Sequence, residues 1–148
     1  MISPELLRRY SCFSPINEQT LVAVAMISDE AFVPAGARLF SEGDPADTLS
    51  LIVEGEVDIQ QRLGSGELRT VDTLVAGDLL GWSAMIEPQK RAAVAVARKD
   101  TRLIRIDARR LRELCDQDCS LGYRLMGQVA QRLADQLDGA RVQLATLA

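Results

Sequence analysis

The hydrophobic period of this chain changes twice, and the changes divide it into three blocks. Early on, Leu21, Val24 and Ala25 recur at helical spacing behind Asn17, a good helix cap. Ser3-Pro4 or Ser14-Pro15 marks a first helix start, less clearly. From Ala31 to Asp107 the period falls to two. Val57, Ile59, Gln61 and Leu63 alternate with Glu56, Asp58, Gln60 and Arg62, as in a strand with one wet face. Leu49, Leu51 and Val53 carry the same alternation, and so do Val94 and Val96. Turn signals such as Pro34-Ala35-Gly36, Glu42-Gly43-Asp44-Pro45, Glu54-Gly55, Gly64-Ser65-Gly66 and Ala76-Gly77-Asp78 punctuate the block. Their spacing, about 8–12 residues, is that of a sandwich or barrel.

After Asp107, which can cap a helix through Leu111 and Leu114, the helical period returns. A longer helix begins near Asp118 or Ser120. Met126, Ala130, Leu133, Leu137, Ala140, Leu144 and Leu147 form a narrow seam with heptad spacing, extended backwards by Tyr123 and Cys119. Leu125 and Val129 lie off the seam and are expected to cover the mouth of the barrel. One face thus serves the chain's own domain, and the other predicts a homodimer through Met126, Leu133, Leu137 and Leu144. The order of elements predicts an α+β fold, with N-terminal helices, a β-barrel over about 28–106 and C-terminal helices over about 107–146. All 148 residues are read as one domain.

Composition narrows the function. At 47% apolar and 26% charged residues, the chain reads as an ordinary globular protein. A formal charge of −4 and a pI near 4.9 argue against DNA or an anionic membrane as partner. The longest apolar run, Leu21 to Ile27, is far short of the ~20 residues that span a bilayer. No secretory signal is visible, so a cytoplasmic location is expected. Three cysteines, Cys12, Cys115 and Cys119, suggest neither a disulfide framework nor a zinc site. The chain has no histidine, so a Ser–His or Cys–His nucleophile is excluded. Glu42, Asp44 and Glu87 read as solvated turn residues, and no enzyme is expected. Gly64-Ser65-Gly66 is too short for a phosphate loop and reads as a hairpin turn.

The segment from Gly77 to Val94 carries the candidate chemistry. A glycine turn opens a short helix over Trp82 to Ile86, Pro88 ends it, and Arg91 opens the next strand. The first N–H groups of a helix lack internal partners and can donate to an anion. A returning arginine can clamp the same anion. With Gly81 and Arg91-Ala92-Ala93-Val94 in matching places, this stretch resembles the phosphate-binding cassette of cyclic-nucleotide-binding domains. Glu42 to Asp47 followed by Leu51 to Val57 resembles the same family's hairpin region, and the likeness covers about residues 15–140. It resembles in particular the sensor domains of catabolite-activator and fumarate–nitrate regulators.

The resemblance implies a double-stranded β-helix, a jelly-roll-like barrel, and a non-catalytic sensor of cyclic AMP, cyclic GMP or a similar small anion, with no other cofactor. It implies that Arg91 and the amides around Ser83 and Ala84 hold the phosphate, that Gly81 and Ala92 allow close approach, and that Gln136 reaches the base. On this reading Arg91 is the only basic side chain facing the pocket. The helix-turn-helix that follows the long helix in the transcription-factor branch has no counterpart here, so no DNA contact is expected. Trp82 stands where the family usually has an acid for the ribose hydroxyl, and an indole can donate but not accept. A second reading follows, in which Trp82 closes the pocket and the domain serves dimerisation or protein contact.

Overall fold

The computed structural model describes residues 1–147. Two short helices, α1 (Pro4–Leu7) and α2 (Glu18–Met26), lead into eight strands: β1 (Ser28–Val33), β2 (Arg38–Phe40), β3 (Thr48–Glu54), β4 (Glu56–Arg62), β5 (Leu68–Val75), β6 (Leu79–Leu80), β7 (Val94–Ala97) and β8 (Thr101–Asp107). A 3-10 turn, Trp82–Met85, lies between β6 and β7, and α3 (Ala108–Gln117) and α4 (Cys119–Leu147) complete the order. The strands form two antiparallel four-stranded sheets, β1-β8-β3-β6 and β2-β7-β4-β5. This is the predicted α+β jelly roll.

Ser3-Pro4 starts α1, and the Asn17 side chain caps α2 by accepting from Thr20 N at 2.8 Å. Asp107 caps α3 through Arg110 N, and Asp118 receives Ser120 N and Leu121 N at the head of α4. Gly55 turns the chain from one sheet to the other with φ 105°. A Cβ there would meet Asp100 O at 2.6 Å and Thr101 Cα at 2.7 Å, so only glycine fits this corner.

Two apolar cores result. Leu49 and Leu51 of β3 and Ile104 and Ile106 of β8 face outward from the first sheet, onto Leu7, Phe13, Leu21, Leu111, Leu121 and Leu125. Ile52 and Leu103, with the opposite parity, join Val57, Ile59, Leu74, Leu80 and Ala95 between the sheets. The alternation in β3 therefore does not separate wet from dry. Residues 49–52 are all buried, because helices cover one face and the second sheet the other. In β4 the expected face holds for Val57 and Ile59 but fades at Gln61, and Leu63 is exposed beyond the strand.

Candidate ligand-binding site

Between the sheets and α4 lies a cavity of about 380 Å³. The barrel supplies Ile59 and Gln61 from β4, Val71, Asp72 and Leu74 from β5, and Leu79 from β6. The cassette supplies Gly81, Trp82, Ser83, Ala92 and Ala93, and α4 supplies Arg132, Asp135, Gln136, Gly139, Ala140 and Gln143. The cavity has room because, Trp82 apart, its cassette wall is small: glycine, serine and two alanines. Its volume falls in the range of small-molecule sites, roughly 300–1,000 Å³.

The cassette departs in detail from the sequence expectation. Trp82–Met85 is a single 3-10 turn, not an α-helix through Ile86, and strand β7 begins at Val94, three residues after Arg91. So short a turn adds little macrodipole, and the electrostatics of the site rest on side chains. Gly81 opens the turn at φ 90°, and a Cβ on it would lie 2.5 Å from Arg91 Nη1. The glycine is therefore required by backbone shape and by the close approach of the arginine together.

Arg91 is buried, only 6% exposed. Its Nη1 donates to Gly81 O at 3.1 Å, and its Nη2 donates to Thr48 O at 2.8 Å and Thr48 Oγ1 at 3.4 Å. All three acceptors are neutral. Its Cζ sits 4.3 Å from the centroid of the Phe40 ring, a cation–π contact, and Phe40 lines the cavity. Its Nε is buried with no hydrogen-bond partner among the described residues. Desolvation lowers the guanidinium pKa from its usual value, while the charges of Asp47 and Asp44 oppose the shift. Neither Glu87 nor Asp78 pairs with it. Asp78 is engaged by Arg132 instead.

Arg91 does not line the cavity wall; it stands behind Gly81 and Phe40. The basic side chain on the wall is Arg132, which corrects the expectation that Arg91 alone would face the pocket. Arg132 Nη1 lies 2.9 Å from Asp72 Oδ2 and Nη2 lies 3.4 Å from Asp78 Oδ1. Gln136, one helical turn beyond Arg132, also lines the cavity. Ala84 does not: it is buried, and its carbonyl accepts from Arg112 Nη1 of α3 at 2.6 Å. Trp82 is half-buried, packs on the helix-side core and forms part of the wall, leaving the cavity open.

On α4, Leu125 and Val129 are buried together with Leu121, but in the helix-side core and not over the mouth of the barrel, which residues from Arg132 onward cover instead. The seam itself is open: Met126 is 41% exposed, Leu137 51%, Leu144 67% and Leu147 84%. Leu133 is the exception, packed in part against its own core, and Ala140 lines the cavity. Sequence reasoning missed Arg132 and Asp72. The one signal available for Arg132 was its i−4 spacing from Gln136.

The family profile for the cyclic nucleotide-binding domain matches residues 30–118. A CRP-like cAMP-activated global transcriptional regulator of Mycobacterium tuberculosis is 25% identical over 129 residues, which is 87% of this chain and 58% of that protein. A cAMP-dependent protein kinase regulatory subunit of Dictyostelium discoideum is 28% identical over 114 residues, 75% of this chain and 35% of that protein. The chain thus spans little more than half the length of one curated relative and about a third of the other. The crystal structure of a protein from Geobacter metallireducens, assigned as cyclic nucleotide-binding, superposes with a TM-score of 0.80 at 36% identity, covering 93% of this chain and 99% of that one. Arg91 behind Gly81, small residues along the cassette wall, the two-sheet barrel and the matched profile converge: the chain belongs to the cyclic nucleotide-binding domain family.

Proposed function

We propose that this domain is a sensor that takes one cyclic nucleotide, cyclic AMP or cyclic GMP, in the cavity beneath α4. The observation that carries the reading is Arg91. Burying a cation costs several kcal/mol unless an opposite charge or a full set of acceptors answers it. Here the acceptors are neutral oxygens and Nε has none. An anion reaching the cassette would supply the missing charge. One phosphate charge suits the surroundings, since the wall carries one arginine and two aspartates and would disfavour a polyanion.

On this reading Gly81, Ser83 and Ala92 border the phosphate end, with the charge of Arg91 directly behind Gly81, Trp82 stacks on or borders the ribose, and Gln136 meets the base. The domain is non-catalytic. The chain has no histidine, and burial pushes the thiols of Cys12 to about 12 and Cys115 to about 11, so neither is a thiolate at neutral pH. Among the described residues no helix is long and apolar enough to cross a membrane, and we place the domain in the cytoplasm. With its acidic balance it would act without touching DNA itself. The exposed Met126, Leu137 and Leu144 stripe supports a homodimer in which two copies of α4 run side by side.

Calorimetric titration tests the ligand. Cyclic AMP or cyclic GMP should bind with 1:1 stoichiometry per chain. Arg91→Ala should weaken binding at least ~100-fold, the scale of stranding a desolvated charge. Arg91→Lys should retain part of it, and a matched circular dichroism spectrum guards against misfolding. Absence of heat with either nucleotide, at millimolar ligand, would refute the reading. Light scattering tests the assembly: a dimer mass is expected, and Leu137→Asp with Leu144→Asp should give a monomer.

A further inference from the structure

The apolar anchoring of α4 runs out before the helix has crossed the cavity. Val129 is the last buried residue of α4 and Leu133 the last apolar one packed on the core. Yet Gln136, Gly139, Ala140 and Gln143, all beyond that point, form the roof of the cavity. Arg132, Gln136, Gly139 and Gln143 lie at i, i+4, i+7 and i+11, one stripe of a single helical face. Apolar burial does not account for the placement of this stripe beyond Leu133.

At the near end of the stripe, beside Leu133, the contact with the barrel is polar. Arg132 reaches Asp72 on the edge strand β5 and Asp78 in the turn before β6, at 2.9 and 3.4 Å. Both carboxylates are already fixed by the backbone. Asp72 Oδ1 accepts from Thr73 N at 2.9 Å, and Asp78 Oδ2 from Val75 N at 2.8 Å. The ordering cost that weakens ordinary surface ion pairs is thus small on the acid side. The three side chains are 20–29% exposed, less than the other ion-paired side chains apart from that of Glu56. A planar guanidinium can bridge two acids at once in a way that an ammonium cannot match.

We propose that Arg132 is a positioning residue: with Asp72 and Asp78 it latches α4 to the rim of the barrel, keeps residues 134–143 over the cavity, and sets how long a ligand stays. The latch itself is a property of the free protein, whereas its effect on residence time rests on the nucleotide-binding reading above.

Hydrogen exchange on the intact chain without ligand tests the latch directly. Arg132→Gln should speed exchange over residues 134–143 by tenfold or more and leave 119–129 unchanged, with Arg132→Lys intermediate. Raising sodium chloride from about 0.05 to about 0.5 M should speed the unmodified protein and not Arg132→Gln, because salt screens the pair. The charge-swapped double variant Arg132→Asp, Asp72→Arg should recover protection, which a purely steric role would not allow. Equal exchange in the unmodified protein and Arg132→Gln would overturn the latch. In a second arm, stopped-flow release of cyclic AMP should be about tenfold faster from Arg132→Gln. An unchanged release rate would overturn the residence-time claim. A protein that shows the exchange response but binds no cyclic nucleotide would instead refute the ligand reading and leave the latch standing.

Discussion

The two cores of this domain divide its work. The helix-side core is closed: Leu7, Phe13, Leu21, Leu49, Leu111, Leu121 and Leu125 are fully buried among themselves. The barrel interior is smaller and incomplete, with alanines at 93 and 95 and a 380 Å³ cavity toward α4. Its one buried guanidinium lacks a charged partner. Large branched side chains interlock and supply stability, whereas small ones next to a buried charge leave room for a ligand. The same sheet serves both, since the two faces of β3 belong to different cores.

The sharpest way to break this division is to damage the closed side. Leu125→Ala removes a fully buried side chain where helices and strands meet. It should cost about 2–5 kcal/mol, or roughly 4–20 °C in Tm for a domain of this size. Thermal unfolding by circular dichroism measures it. Nucleotide affinity at low temperature should change less than threefold. A large loss of affinity in protein that remains folded would show that the two cores are coupled.

Trp82 belongs to both regions, packing on the helix-side core while lining the cavity. Trp82→Glu should therefore exchange one quantity for the other. A carboxylate there can accept the ribose hydroxyl, and such a bond is worth about 1.5–3 kcal/mol, a gain of tenfold or more in affinity. Stability should fall at the same time, as apolar contact is lost. Calorimetry and melting on the same sample test both signs, and unchanged affinity would remove the ribose from this wall.

How far the sequence carried depended on range. Local chemistry was legible: Asn17, Asp107 and Asp118 cap as their residue types imply, and Gly81 takes the positive φ that its turn requires. So was the cassette, where Gly81, Trp82, Ser83 and Ala92 reach the cavity. What depended on contacts across the fold was not legible. The Arg132–Asp72 pair joins residues 60 apart, and nothing near either position announces the other. Arg91 illustrates the middle case. Its place in the motif was plain, but its turn away from the wall toward Gly81 O and Thr48 O depends on a strand 43 residues upstream.

The closed core also predicts a pH response. Cys12 is 3% exposed in that core, and burial pushes its thiol from 9.0 to about 12. Below pH 9 both folded and unfolded chains keep the proton, and stability is unaffected by this group. Above pH 9 the unfolded chain releases it first, so stability falls by about 1.4 kcal/mol per pH unit until the folded value near 12 is reached. Urea midpoints at pH 8.5 and 10.5 should separate by at least that slope, because Cys115, pushed up to about 11, adds its own share. Cys12→Ala, though less stable throughout, should lose the Cys12 share and keep that of Cys115. An identical slope in the variant would assign the alkaline loss to other groups.

The smallest expected change in stability is the most telling for the open side. Ala92 is exposed, yet it lines the cavity from the cassette. Ala92→Leu extends a side chain into space that no protein atom occupies, so strain should be slight and stability should stay within about 0.5 kcal/mol. The added branch takes up part of the 380 Å³ beside Ser83 and Gly81, where the phosphate end of the ligand would sit. Binding should therefore disappear from calorimetry while the melting curve barely moves. This is the mirror image of Leu125→Ala, which loses stability and keeps the site. If Ala92→Leu binds a cyclic nucleotide as well as the unmodified protein, the ligand is held elsewhere, and the small residues of the cassette wall need another explanation.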